Sequence, residues 1–268
     1  MNSINTNVGA LLAQKFLRSV SAELVVTQNR LSSGLRVATV TDDASTFAVA
    51  AGIRGDIKSY TAVAAALQGS VAAANVAVSA GETVAERLGD IEAKIVQLSN
   101  AGLSQSERDT YNTDLASLVA EVNSYLLQAS YNGTNLLGTG GADVRVVANV
   151  DGSTLTLRNN DVANLAIDPI NNNGQAVQTQ KLVEDFRLAL DAALANLGSD
   201  LVRAANQAEF INRTEETLRI GLGALVDADI ARESANFNAL QVRQQLAVEA
   251  IGIANQAPKV LLGLFRTN

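Results

Sequence analysis

Two stretches of the chain repeat apolar residues at alternating spacings of four and three, and this period constrains the fold more than any other feature. The first runs through Ile53, Ile57, Tyr60, Ala64, Leu67, Val71, Ala74 and Val78. It continues through Gly81, Ala85, Leu88, Ile91, Ile95 and Leu98, with one slip near Ile91. At 1.5 Å per residue such a helix is roughly 70 Å long, far beyond an average globular helix. The second runs through Leu190, Leu194, Leu197, Leu201, Ala204, Ala208 and Ile211, and past Glu215 to Leu218, Leu222 and Leu225. Stripes of this length call for partners of similar length in coiled-coil-like packing. A shorter stripe holds Tyr111, Leu115, Leu118, Val122, Tyr125 and Ala129. Ser104 opens it, with Glu107 at the capping-box position.

The two ends carry a related pattern. Leu17, Leu24 and Leu31 stand seven apart, with Ala13, Val20 and Thr27 between them, which makes a short heptad seam. Gly34, after Ser32-Ser33, supplies a helix stop, and Thr41-Asp42-Asp43 offers capping groups for the next helix. Toward the other end, Asp227-Ala228-Asp229 punctuates the chain. One stripe then holds Ala239, Val242, Leu246, Ala250, Ile253, Ala257, Val260 and Leu264. A second holds Leu240, Ala247, Ile251, Ala254 and Leu261. Chain ends normally fray and tolerate change, and a monomer that exposed these would carry an adhesive apolar patch. The ends therefore bury each other, or bury themselves in other copies of the chain.

Between about 131 and 178 the helical period vanishes. Asn132-Gly133 and Gly138-Thr139-Gly140-Gly141 read as breakers. Val144, Val146, Ala148 and Val150 alternate, as do Leu155 and Leu157, and Asp151-Gly152 between them predicts a β-hairpin with a type I′ turn. Residues 170–174 read as an exposed loop. The expected fold is mainly α: an elongated antiparallel bundle of long helices with a small central hairpin, and terminal helices forming a second coiled-coil segment.

Composition narrows the function classes. The 268 residues are 47% hydrophobic and carry a net charge of −7, so nucleic acid is not an expected partner. There is no His and no Cys. Zinc sites of the usual types, nucleophile systems that need a His, and disulfides are all out of reach. Neither catalytic residues nor a cofactor are expected. The Asp42-Asp43 pair fits helix capping better than metal or acid–base chemistry. The start lacks a secretory signal. No stretch approaches the length of a transmembrane helix, so membrane insertion is not expected.

The hinge motifs carry a resemblance. Arg30-Leu31-Ser32-Ser33-Gly34-Leu35-Arg36 followed by Asp42-Asp43-Ala44 resembles the N-terminal signature of bacterial flagellins. Ile4-Asn5-Thr6-Asn7 and Tyr131-Asn132-Gly133-Thr134-Asn135-Leu136-Leu137 are similar to flanking motifs of the same half. Asp227-Ala228-Asp229-Ile230-Ala231-Arg232-Glu233 and Ala254-Asn255-Gln256-Ala257-Pro258 are similar to their C-terminal motifs. The motifs span nearly all of the chain in the right order. The resemblance implies a non-enzymatic subunit of a helical, extracellular filament, exported unfolded by the flagellar type III apparatus without a cleaved signal. It also implies contact with an export chaperone, the filament cap and hook-associated proteins.

By the same resemblance, residues 1–40 are the N-terminal polymerisation helix and hinge, and 227–268 the C-terminal polymerisation helix. Residues 41–137 and 179–226 are the two halves of a rod domain, and 138–178 a short variable insert. Leu17, Leu24, Leu31, Leu246, Ile253, Val260 and Leu264 are expected at the polymerisation interface. Arg30, Gly34, Arg36, Asp42, Asp43, Asn255, Gln256 and Pro258 carry the hinge and family motifs. A hook–filament junction protein of the same superfamily shares the helical ends, but the complete Ala-Asn-Gln-x-Pro run favours a flagellin. A compact helical binding module is the alternative outside the family.

Overall fold

The computed structural model describes residues 6–265, with side chains to Gln256. In chain order it contains α1 (Val8–Ser33), α2 (Ala44–Leu98), α3 (Gln105–Gln128), β1 (Ser130–Tyr131), β2 (Thr134–Asn135), β3 (Val144–Val147), β4 (Thr154–Leu157), α4 (Asn173–Val226) and α5 (Ile230–Phe265). Two compact units are formed, one from residues 1–55 with 218–268 and one from 56–217.

In the second unit the long stripes do what their period requires. Leu67, Leu88, Ile91, Ile95 and Leu98 of α2 are buried, together with Leu115, Val122 and Leu126 of α3 and Leu190, Leu197 and Ile211 of α4. The helices run antiparallel. Lys94 meets Asp114 at 3.1 Å and Arg87 meets Glu121 at 3.3 Å across α2 and α3. Glu92 pairs with Arg187 across α2 and α4. At Gly81 the Leu194 side chain of α4 lies against α2, since a Cβ there would stand 2.6 Å from the Leu194 Cδ2. α2 also contains a stretch long and apolar enough to cross a membrane, contrary to the expectation of none. Its alanines and valines make it apolar, and Ala73, Ala74 and Ala77 are buried in this core.

The α2–α3 corner is closed by polar groups. The buried Arg108 donates to the carbonyls of Leu98 (2.8 Å) and Asn100 (3.2 Å), which the end of α2 leaves without helical partners. Ser104 and Glu107 form the expected reciprocal capping box on α3.

The central segment departs from expectation in three places. The β3–β4 hairpin is present, pairing Val144 with Leu157 and Val147 with Thr154. Its turn is not type I′. Ala148 N–H reaches Ser153 O, Gly152 N–H returns to Asn149 O, and of the two residues only Gly152 has positive φ. The four-residue loop 149–152 needs a single left-handed position, whereas type I′ needs two. The two-residue turn with both φ positive is at Asn132 (50°) and Gly133 (81°), between β1 and β2. Finally, residues 170–174 are only in part the expected exposed loop: 171–174 are exposed, but Ile170 is not, and the last two residues already belong to α4. Ile170 is fully buried, and Asn172 caps α4 by accepting the Gln175 amide at 2.9 Å. α4 therefore starts at Asn173, in a polar stretch where Ala176 and Val183 are the buried residues before Phe186, too sparse to show a period.

Asn side chains position the extended stretch before α4. Asn123 both donates to Leu165 O and accepts from Leu165 N–H, each at 2.8 Å. Asn112 does the same for Ile170, at 3.2 and 2.9 Å. Eleven helical residues and five extended residues each span about 16 Å, so the two asparagines, on one face of α3, match the segment at both ends. On α4, Asp200 is fully buried. It accepts the Arg158 backbone N–H (3.1 Å) and the Arg203 guanidinium (2.9 Å), which holds the end of β4 on the helix.

Candidate functional site

The first unit holds the paired ends. Asn7 caps α1 by accepting the Ala10 amide at 3.1 Å, and its Nδ2 donates to Ala254 O at 2.8 Å. Ser21 meets Gln244 at 3.3 Å, and Arg30 meets Glu233 at 3.4 Å. As the number rises on α1 it falls on α5, so the two helices are antiparallel.

The seam has coiled-coil spacing on both sides. On α1 it comprises Ala13, Leu17, Val20, Leu24, Thr27 and Leu31. On α5 it comprises Glu233, Phe237, Leu240, Gln244, Ala247, Ile251 and Ala254. Val20, Thr27, Glu233, Leu240 and Ala247 are buried there, while Leu17, Leu24 and Leu31 are half-buried. Three polar members, Thr27, Gln244 and Glu233, punctuate the seam. A polar residue at a single seam position specifies register at some cost in stability.

The seam uses only one of the two apolar stripes of α5, the one with Leu240, Ala247, Ile251 and Ala254. The other faces outward: Val242, Leu246 and Ile253 are exposed, Ile253 at 71%. α1 also presents apolar residues away from the seam, namely Val8, Leu11, Leu12, Phe16, Val25 and Val26. These six lie outside the heptad that the sequence displays. Their signal was the density of apolar residues off the seam. A helix apolar on more than one side is buried by something. Asn255 and Gln256 are exposed. The side chains of Pro258, Val260 and Leu264 lie outside the described residues.

The hinges at the base of the hairpin are tied to each other. α1 ends at Gly34, whose left-handed conformation (φ 72°) lets its N–H reach Arg30 O. Arg36 N–H then donates to Val226 O (2.7 Å), Ala228 N–H to Gly34 O (2.9 Å), and the Arg36 guanidinium to Leu225 O (2.5 Å). Val37, Ala50 and Val226 form a small core beneath this bridge, flanked by Leu35 and Phe47.

The two acids after the hinge divide the capping work. Asp43 caps α2, accepting the Thr46 amide (3.0 Å) and hydroxyl (2.7 Å). Asp42 instead holds the preceding turn through the amides of Thr39 and Ala38 and the Thr39 hydroxyl. These bonds keep both carboxyls below the usual carboxylate range: for Asp42 the Thr39 amide matters most, for Asp43 the Thr46 amide. Asp229 caps α5 through the Arg232 amide. Among the described residues no group of three or more acids gathers as a metal site. The arrangement can present a helical hairpin with an open apolar side, held by a rigid base.

Comparison with known proteins agrees with this architecture. Residues 4–140 match the family model for the bacterial flagellin N-terminal helical region, and residues 180–265 match that for the C-terminal helical region. A flagellin of Brucella melitensis is 35% identical over 283 residues, covering 99% of this chain and all of that protein. Flagellin FljK of Caulobacter vibrioides is 31% identical over 271 residues, covering 99% of each. A crystal structure of Bacillus cereus flagellin aligns with 53% of this chain and 86% of its own at 16% identity, with a TM-score of 0.49. The chain belongs to the bacterial flagellin family, the structural subunits of the flagellar filament.

Proposed function

We propose that this flagellin polymerises through the open apolar sides of α1 and α5, and that the two helices become fully ordered only when other copies cover them. One observation carries this reading: Leu246, Ile253, Leu12 and Phe16 are at least half exposed on helices whose seam already buries a different stripe. In the division of labour that follows, Leu17, Leu24 and Leu31 close the hairpin, and Leu246 and Ile253 meet neighbouring copies, with Val260 and Leu264 continuing the stripe. Arg30, Gly34, Arg36, Asp42 and Asp43 set the hinge. Asn255, Gln256 and Pro258 belong to the C-terminal polymerisation segment. In this reading residues 1–40 and 227–268 are the polymerisation elements, 41–137 and 179–226 the two halves of a rod domain, and 138–178 a small insert.

The chain acts without catalysis, as a subunit of an extracellular appendage. It leaves the cell unfolded through the flagellar type III apparatus without a cleaved signal, and is received by an export chaperone, hook-associated proteins and the filament cap. Support for the export route comes from the absence of Cys, which removes cross-linking during transit. The test is polymerisation of Leu246→Glu and Ile253→Glu, followed by sedimentation and electron microscopy. Both variants should remain monomeric at concentrations where the unchanged chain forms filaments. Normal filaments from either variant would sink the reading. Removing residues 260–268 should have the same effect as the two substitutions.

A further inference from the structure

The β1–β2 turn sets an electrophile beside a nucleophile. Asn132 and Gly133 fill its two central positions, both exposed and both with positive φ (50° and 81°), the type I′ arrangement. Nothing lies within 4 Å of where a Gly133 Cβ would stand. Two other pairs of the same chemical kind, Asp151-Gly152 and Asn173-Gly174, occur in the chain, and the fold treats each differently.

An Asn side chain that precedes Gly is open to attack by the backbone, because Gly has no Cβ to obstruct it. The Gly nitrogen gives up its proton and bonds to the Asn Cγ. The Cγ–Nδ2 bond breaks, and Nδ2 leaves with that proton as ammonia. A five-membered succinimide remains. Water then opens it at one of its two carbonyls, leaving either Asp or isoaspartate, in which the main chain runs through Cβ. Closure needs the Gly nitrogen turned to the Cβ side, with ψ of the Asn at about −120°, and this is the first central ψ of a type II′ turn.

Types I′ and II′ differ by a flip of the peptide between the two central residues, and both join strands through a two-residue loop. The Asn132–Gly133 peptide can therefore reach the closing geometry while Ser130 stays paired with Asn135 and Tyr131 with Thr134. Gly133 takes the reversed φ freely. Asn173 has no such route. It is the first residue of α4, and turning its ψ breaks the bonds from Ala176 N–H to Asn172 O (3.1 Å), Gln175 N–H to Asn172 Oδ1 (2.9 Å) and Asn171 N–H to Gln175 Oε1 (2.7 Å). Asp151 accepts the Ser153 amide (2.8 Å), which holds its carboxyl below the usual carboxylate range. A carboxylate is a poor electrophile, and the Gly152 N–H is engaged by Asn149 O (3.1 Å).

We propose that Asn132 is a site of spontaneous deamidation through Gly133, reached by a peptide flip inside the intact β1–β2 turn. Each event adds a negative charge, and isoaspartate also adds a backbone atom to the turn. Asn135, just beyond it, holds Leu126 O (2.7 Å), Leu137 N–H (2.9 Å) and Gly138 N–H (2.8 Å). The lengthened turn therefore acts on the contact that closes the end of α3.

The test follows the full native chain in mildly alkaline buffer. Mass spectrometry tracks the peptides that carry Asn132 and Asn173, and isoaspartyl methyltransferase labels the β-linked product. Asn132 should convert at least about tenfold faster than Asn173, since only Asn173 must break hydrogen bonds first. In strong denaturant, where both are Asn-Gly pairs in an open chain, the two rates should agree within about threefold. Low urea separates a flip from local unfolding. A flip exposes no new surface, so the Asn132 rate should stay constant below the unfolding transition while the Asn173 rate climbs. No conversion at Asn132, equal native rates, or an Asn132 rate that climbs with urea as Asn173 does would overturn the proposal.

Discussion

Asn123 on α3 should be worth more to the second unit than any single surface charge. Its amide satisfies both backbone groups of Leu165, which is 2% exposed. Asn123→Ala removes two hydrogen bonds, each worth about 1 kcal/mol net, and strands a donor and an acceptor. A loss of about 2–3 kcal/mol follows, or about 5–10 °C in the midpoint for a unit of this size. Asn123→Asp discriminates the mechanism. The carboxylate can accept the Leu165 N–H but faces the Leu165 carbonyl with no proton to donate, so it should cost at least as much as alanine. Asn112→Ala should behave like Asn123→Ala through Ile170. The sites are about 16 Å apart along α3, so their effects should add unless the first loss already frees the segment, in which case the second is smaller. Thermal unfolding by circular dichroism gives the stabilities, and amide exchange at Leu165 and Ile170 localises them. If Asn123→Asp is as stable as the unchanged chain, the paired-bond argument is wrong.

Three further outcomes follow from the same kind of accounting. Asp200→Ala should cost about 3 kcal/mol, because it strands the Arg158 backbone N–H and uncovers a buried polar site. Arg158→Ala and Arg203→Ala, whose side chains are half exposed, should each cost under about 1 kcal/mol in the same denaturant titration. Arg108→Met should lower stability by about 2 kcal/mol, since the carbonyls of Leu98 and Asn100 lose a charged donor. Asp43→Asn tests the charge on the cap. The folded carboxyl titrates below its unfolded value, so its contribution is present above about pH 4 and lost as pH falls through the folded pKa. The variant should therefore be less stable than the unchanged chain at pH 6, and the difference should shrink as the pH falls below about 4, as read by denaturant midpoints across pH.

What the sequence displayed was whatever repeats or punctuates locally. The α2 and α4 stripes, the Ser104–Glu107 box and the Gly34 stop are each written in neighbouring residues, and each stands where it was expected. The asparagine clamps were invisible because residues eleven apart on a helix show no signal until the partner is known to be extended. The hairpin turn was misplaced because Asp-Gly and Asn-Gly look alike. Only the length of the paired strands tells a two-residue turn from a four-residue one. The two stripes of α5 are both apolar, so period alone could not say which faces α1. The structure turns the smaller Ala247 and Ala254 inward and leaves Leu246 and Ile253 outside.

That choice bears on when the ends fold. Among the described residues the α1–α5 seam buries Val20, Leu240 and Ala247 as apolar side chains, beside the polar Thr27 and Glu233, whereas the second unit buries rows of Leu and Ile. Apolar burial is what offsets the entropy of ordering a helix, and an isolated amphipathic helix is marginal without it. The two units should therefore differ in protection. In the monomer, amides of α1 and of the described part of α5 should exchange at least a hundredfold faster than those of α2 between 63 and 98. In the filament they should slow toward the α2 values, because Leu246, Ile253 and their neighbours on α1 then gain partners. Hydrogen exchange with mass spectrometry on monomer and polymer measures both. If α1 and α5 are as protected in the monomer as α2, the seam suffices to hold them, and ordering is not coupled to assembly.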